Sequence, residues 1–150
     1  MDLSLYVLIK ICMMNQNSNL RVATYHWAYS GGDEEFENKY HVTTTDSERL
    51  NRYCLEHSII PLFILVEESI LFKAPEDRPA FKKMFELAKA QQIDLVLINK
   101  IHIVSGSFRG FHRMLWELTN LDVAVQCVDE PFTTYFNNGR LIVLPEYKED

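Results

Sequence analysis

The side chains best suited to chemistry are few and scattered. Glu67 and Glu68 are adjacent carboxylates that would suit a divalent cation. No His or Asp stands at a set spacing from them, and a solvated acidic loop is the simpler account. His102 precedes Ser105-Gly106-Ser107. A nucleophilic Ser–His pair also needs an orienting acid and an oxyanion hole. No GxSxG elbow exists, and Ser107 serves equally well as a helix cap. Gly31 and Gly32 adjoin but sit in neither a GxGxxG nor a P-loop pattern. His26, His41, His57 and His112 share no spacing and read as structural or surface residues. Cys12, Cys54 and Cys127 are far apart with no CxxC, which suggests neither zinc nor a disulfide framework. They read as buried, reduced thiols, in keeping with a cytoplasmic setting. Arg109 and Arg113 lie four apart on one helical face, available to a phosphate backbone or simply to solvent. None of these groups implies a cofactor.

The elements that would position them alternate. The apolar-rich run 20–27 predicts a first strand, ended by the loop Ser30-Gly31-Gly32-Asp33. Thr45-Asp46-Ser47-Glu48 has the capping-box pattern, and Leu50, Tyr53, Cys54 and His57 follow at helical spacing. The continuous run 59–66 predicts a strand buried on both faces, with Pro61 near its start. Pro79 suits a first helical position, ahead of the stripe Phe81, Met84, Phe85 and Ala88. Strands at 93–98 and 123–128 flank a helix marked by Phe108, Phe111, Leu115 and Leu118. The order β-α-β-α-β-α-β predicts an α/β domain, a four- or five-stranded, mainly parallel sheet flanked by helices. Asn137-Asn138-Gly139 reads as a turn, and 141–144 as a short strand or a helix stub stopped by Pro145. In such sheets reacting groups gather at the C-terminal strand ends, here the loops 28–33, 67–77 and 99–107.

At 150 residues, 47% hydrophobic and 24% charged, the chain is sized for one globular domain with a real core. Its net charge of −6 requires a local basic face or a partner for any DNA affinity. The apolar run 5–14 contains Lys10, follows Asp2 and is too short to span a membrane or resemble a secretory signal. The expected organisation is an extension at 1–19, with Met13 and Met14 as alternative starts, a domain at 20–144, and an acidic tail at 145–150.

Together these segments resemble the catalytic domain of the serine site-specific recombinases, the resolvase and invertase superfamily, and most of all its large members from transposons and phages. RVATYHWAYS resembles the family's first strand, which normally reads Arg-Val-Ala-Ala-Tyr-x-Arg-Val-Ser-Thr. RPAFKKMFELAKAQQIDLVLINK resembles its Arg-Pro helix and third strand. LDVAVQCVDEPFTT resembles the fourth strand with the Glu-x-x-x-Thr segment, and NNGRLIVL resembles the Gly-x-Leu stretch opening the family's long dimerisation helix.

The resemblance implies a transesterification on DNA, in which a serine attacks the phosphodiester and arginines neutralise the phosphoryl transition state. Carried over residue by residue, the nucleophile position holds Tyr29 and the arginine two residues earlier is Trp27. The family's aromatic partner persists as Tyr25, its acidic residue after the second strand as Glu67, and its Arg-Pro arginine as Arg78. The glycine and Ser-Gly that follow that acidic residue become Ser69, Leu71 and Phe72. Two arginines after the third strand become Ile103 and Gly106, preceded by His102. Two glutamines of the loop after the first strand align with Phe36 and Thr43.

The resemblance therefore implies a catalytically degenerate recombinase domain, a binding or regulatory pseudoenzyme or a mobile-element remnant. DNA or a recombinase-family protein would be its partner, and the family's dimerisation helix would be replaced by Pro145 and the acidic tail. Two alternatives stand beside it. One is an active recombinase using Tyr29 or Ser30. The other is a small-ligand α/β binding protein or hydrolase using the same loops.

Overall fold

A computed structural model describes residues 21–68, 77–104, 108–129, 132–137 and 140–145. The chain runs β1 (Val22–Trp27), α1 (Glu34–Tyr40), α2 (Asp46–Glu56), β2 (Phe63–Glu67), α3 (Pro79–Lys89), β3 (Leu95–Ile98), α4 (Ile101–Val104), α5 (Phe108–Asn120), β4 (Ala124–Cys127), β5 (Phe132–Asn137) and β6 (Arg140–Pro145). The sheet order is β2-β1-β3-β4-β5-β6. The first four strands pair in parallel, and β4–β5 and β5–β6 pair antiparallel. The expected α/β architecture is present, and an antiparallel hairpin extends its four parallel strands.

Two hydrophobic layers sandwich this sheet. On one face Ala23, Tyr25 and Trp27 of β1 join Leu65, Val96, Ile98 and Val125 beneath α1, α3 and α5. The other face is smaller: Val22, Leu95 and Leu97 meet Leu50 and Cys54 of α2. The split follows from strand alternation, which sends successive residues to opposite faces. Cys54 and Cys127 are buried and unbonded to sulfur, while Cys12 lies outside the described residues.

At four places the structure corrects, adds to or decides between the expectations. The strand after α2 is not buried on both faces: β2 is the terminal strand of the sheet, and Ile60, Leu62 and Ile64 are exposed. A continuous apolar run shows that both faces are apolar, not that both are covered. The capping box does not close, since Thr45 makes no side-chain cap to its helix. Asp46 instead reaches back to the Thr43 amide and hydroxyl (3.0 and 2.7 Å), while Arg49 engages both Thr45 and Asp46. Residues 34–40, unassigned from sequence, form α1, with Asp33 accepting from the Phe36 amide as its cap. Finally, residues 140–145 form β6, so of the two readings of 141–144 the short strand holds, and the helix opening implied by the Gly-x-Leu resemblance does not form there. Asn138, Gly139 and 146–150 lie outside the described residues.

Candidate active site

The C-terminal ends of β1, β2 and β3 bring most of the singled-out positions together. Tyr25 and Trp27 point from β1 toward α3 and α4. The Tyr25 hydroxyl donates to a Glu67 carboxylate oxygen at 2.7 Å. The same carboxylate accepts from the amides of Ala80 and Phe81 at 2.9 and 3.0 Å. Pro79 at the first helical position has no N–H and Arg78 gives no side-chain cap, so Glu67 caps α3 from the neighbouring strand. A carboxylate there also opposes the positive end of the helix dipole. Glu67 is buried and Glu68 exposed, so the two carboxylates do not form a pair.

Arg78 has 0% relative exposure. Its guanidinium carbon lies 5.1 Å from the Trp27 ring centroid and 5.2 Å from that of Tyr40. It donates to the Ile103 carbonyl at 3.4 Å, which also accepts from Trp27 Nε1 at 3.1 Å. An arginine held between aromatic faces and a carbonyl is stabilised by cation–π attraction and a charge-assisted hydrogen bond. The cost is that it cannot reach an external phosphate without repacking. Burial, then the Glu67 charge, push the Tyr25 hydroxyl well above its ordinary range, against a smaller opposing pull from Arg78. Tyr25 is thus a neutral hydrogen-bond donor.

An aromatic cluster completes the wall. Trp27 meets Phe36 edge-on at 5.2 Å, Phe36 lies 5.1 Å from Tyr40, and Tyr29 lies 5.3 Å from Phe36. Each such pair adds about 0.5–1.5 kcal/mol beyond its buried area. Tyr29 is also tethered: its hydroxyl donates to Glu37 at 2.6 Å and accepts from the Asp33 amide at 2.9 Å. Desolvation and then the Glu37 hydrogen bond raise its pKa, which disfavours the phenolate a nucleophile would need.

Outside this wall is a cavity of about 390 Å³ lined by His26, Trp27, Ala28, Tyr29, Ser30, Thr43, Thr44 and Ser47. Ser30 is exposed at its margin. Burial lowers the His26 pKa, partly offset by Asp46. Beside it a polar network joins Arg49 to Asp129 at 3.1 Å, and Asn99 Nδ2 to Asp129 and the Asp46 carbonyl at 3.0 and 2.8 Å.

The remaining positions distribute plainly. Ile103 is buried, and His102 is half-buried and stacks on His41 at 4.2 Å. His57 packs on Tyr53, while Arg109 and His112 are exposed and Arg113 pairs with Glu117 on the surface. Ser69, Leu71, Phe72, Ser105, Gly106 and Ser107 lie outside the described residues. No group of His, Cys, Asp and Glu suited to a metal occurs among the described residues, nor does a helix long and apolar enough to cross a membrane. The sequence reading missed Tyr40, Glu37 and Asp33. The i, i+4 spacing of Phe36 and Tyr40 behind a capping Asp was the available signal.

A family model, the resolvase N-terminal domain, matches residues 37–144, well over half of the chain. The chain belongs to the resolvase family of serine recombinases. The match begins within α1, so β1 and the loop after it lie ahead of it. Solved structures agree on the fold. The N-terminal catalytic domain of TP901-1 integrase aligns with a TM-score of 0.56 at 17% identity, covering 73% of this chain and 77% of that one. The C-terminal catalytic domain of ISC1926 TnpA, an IS607-like serine recombinase, aligns at 0.54 with 18% identity, covering 73% and 67%. No curated protein sequence matches.

Proposed function

We propose that this resolvase-family domain has lost DNA strand cleavage and acts as a binding or regulatory module. The observation that carries this reading is the full burial of Arg78, which the resemblance aligns with the family's Arg-Pro arginine, against the adjoining rings of Trp27 and Tyr40. The reading is further supported by the residue types at the family's reactive positions: Tyr29 for the serine, and Trp27, Ile103 and Gly106 for arginines. Losing one preorganised donor to a transition state costs on the order of 10²–10³ in rate. Several such losses need not multiply, yet each leaves the phosphoryl charge less compensated. The partner we propose is DNA or a recombinase-family protein, and the net charge of −6 argues for weak DNA binding by this chain alone.

The test is incubation with supercoiled plasmid and total cellular DNA at low salt, followed by denaturation and mass spectrometry. No covalent protein–DNA adduct is expected. An adduct at Tyr29 or Ser30, abolished by Tyr29→Phe or Ser30→Ala, would establish the active-recombinase reading instead. A second reading, a small-ligand site, draws less support, because the space of about 390 Å³ is open to solvent and lined as much by polar as by apolar groups, whereas such sites are enclosed and mostly apolar. Saturable binding of a small molecule, lost in Thr44→Trp, would support it.

A further inference from the structure

The terminal strand β2 leaves one face uncovered. On the α3 side Leu65 and Glu67 are buried. On the opposite side Ile60, Leu62 and Ile64 are 81%, 59% and 62% exposed, and Leu55 at the end of α2 is 81% exposed. Leu55 and Ile60 flank one tight turn, in which the Ser58 amide donates to the Leu55 carbonyl and the Ile59 amide to that of Cys54. Leu62 and Ile64 share one face of the strand by alternation, and Leu55 and Ile60 stand at the two ends of the turn that leads into it; together they make an exposed apolar strip. They are four of the five large exposed hydrophobics among the described residues, and such clustering marks a surface that is covered in use. The strip exists because α2 packs over β1 and β3, through Leu50 and Cys54 against Val22, Leu95 and Leu97, and stops short of β2.

We propose that residues 5–14 of this same chain occupy the strip. The first argument is the point of departure. The Leu62 amide donates to the Val22 carbonyl at 2.8 Å, so the chain ahead of β1 leaves the domain directly beside the strip. Arg21 fixes that exit through Asp94, its backbone amide and side chain both bonded to the carboxylate at 2.9–3.0 Å. The second argument is reach. Residues 15–20 are six residues, five of them polar, and span up to about 20 Å, several times the spacing of neighbouring strands. The third is chemistry. The run LYVLIKICMM carries one charge, Lys10, and lowers its free energy when its apolar side chains leave water. A short flexible tether presents it to the strip at about millimolar effective concentration, which favours it over a second copy at ordinary protein concentrations.

The native Cys12 provides the probe, because Cys54 and Cys127 are buried and do not compete. Cysteine is introduced at an exposed strip position, Leu62→Cys or Leu55→Cys, in the full chain. Mild oxidation is followed by non-reducing electrophoresis and peptide mass spectrometry. The expected product is an intramolecular disulfide from Cys12 to the new cysteine in monomeric protein. It should fall at least tenfold when Val7→Asp and Ile9→Asp are added. Disulfides joining two chains would overturn the proposal in favour of a second copy. So would absence of any Cys12 cross-link, together with unchanged amide exchange of residues 59–67 in the Val7→Asp/Ile9→Asp variant.

Discussion

Two arginines at the same end of the sheet meet opposite fates. Arg78 sits on the α3 side with no exposure, closed in by Trp27, Tyr40 and the Ile103 carbonyl. Arg49 sits on the α2 side with its side chain 34% exposed, bridging Asp46 and Asp129. One cation has been absorbed into a core and the other remains at the surface among carboxylates. Neither is presented to an incoming phosphodiester. The difference shows two ways in which a cation at a strand end is satisfied within the fold: it can be covered by aromatic rings, or it can be paired with neighbouring carboxylates.

The largest effects should fall on the closed side. Arg78→Ala removes a fully buried side chain packed on Trp27 and Tyr40 and should destabilise the fold by about 3–5 kcal/mol through lost packing, read as a lower urea midpoint. Trp27→Ala should cost about 3–5 kcal/mol as a large-to-small change. It should also open Arg78 to solvent, visible as faster modification by an arginine reagent. If Trp27→Ala leaves Arg78 unreactive, the roof is made elsewhere. Glu67→Gln keeps the shape but weakens the charge-assisted caps to Ala80 and Phe81, and should cost about 1–3 kcal/mol, with faster amide exchange at the start of α3.

On the open side Arg49→Ala should cost less, about 1–3 kcal/mol, because Arg49 is itself partly solvated while its partner Asp46 is buried and keeps only its Thr43 hydrogen bonds. An equal loss for Arg49→Ala and Arg78→Ala would erase the contrast. The smallest effect is a pH dependence at His26. Burial favours its neutral imidazole, so its folded pKa lies below the unfolded value of about 6.5. As pH falls below about 6.5 the unfolded chain takes up the proton first, and stability declines until the folded His26 is also protonated. The urea midpoint should therefore drop less between pH 7 and pH 5 in His26→Gln than in the parent chain.

Much of this was open to sequence reasoning. Continuous apolar runs and helical stripes gave the alternating elements, because a parallel sheet buries its strands between helices. The face of β2 was not readable, since apolar periodicity reports composition and not what lies above it. Residues 34–40 escaped because three glutamates mask the two aromatics, Phe36 and Tyr40, that anchor α1. That gap hid the site's character. The resemblance aligns Trp27 with an arginine position, but the packing of Trp27 on Arg78 depends on Tyr40 and Phe36 arriving from α1. The turn of β6 against β5 depends on a hairpin partner, which a Gly-x-Leu resemblance does not encode.

The measurement closest to the central claim is arginine modification in the native protein, mapped by mass spectrometry with phenylglyoxal as reagent. Arg52, Arg109 and Arg113 should label readily and Arg49 more slowly. Arg78 should stay unlabelled until the chain is unfolded in urea. Labelling of native Arg78 at the rate of the exposed arginines would mean that the guanidinium reaches solvent, and with it a phosphate, and would contradict the account.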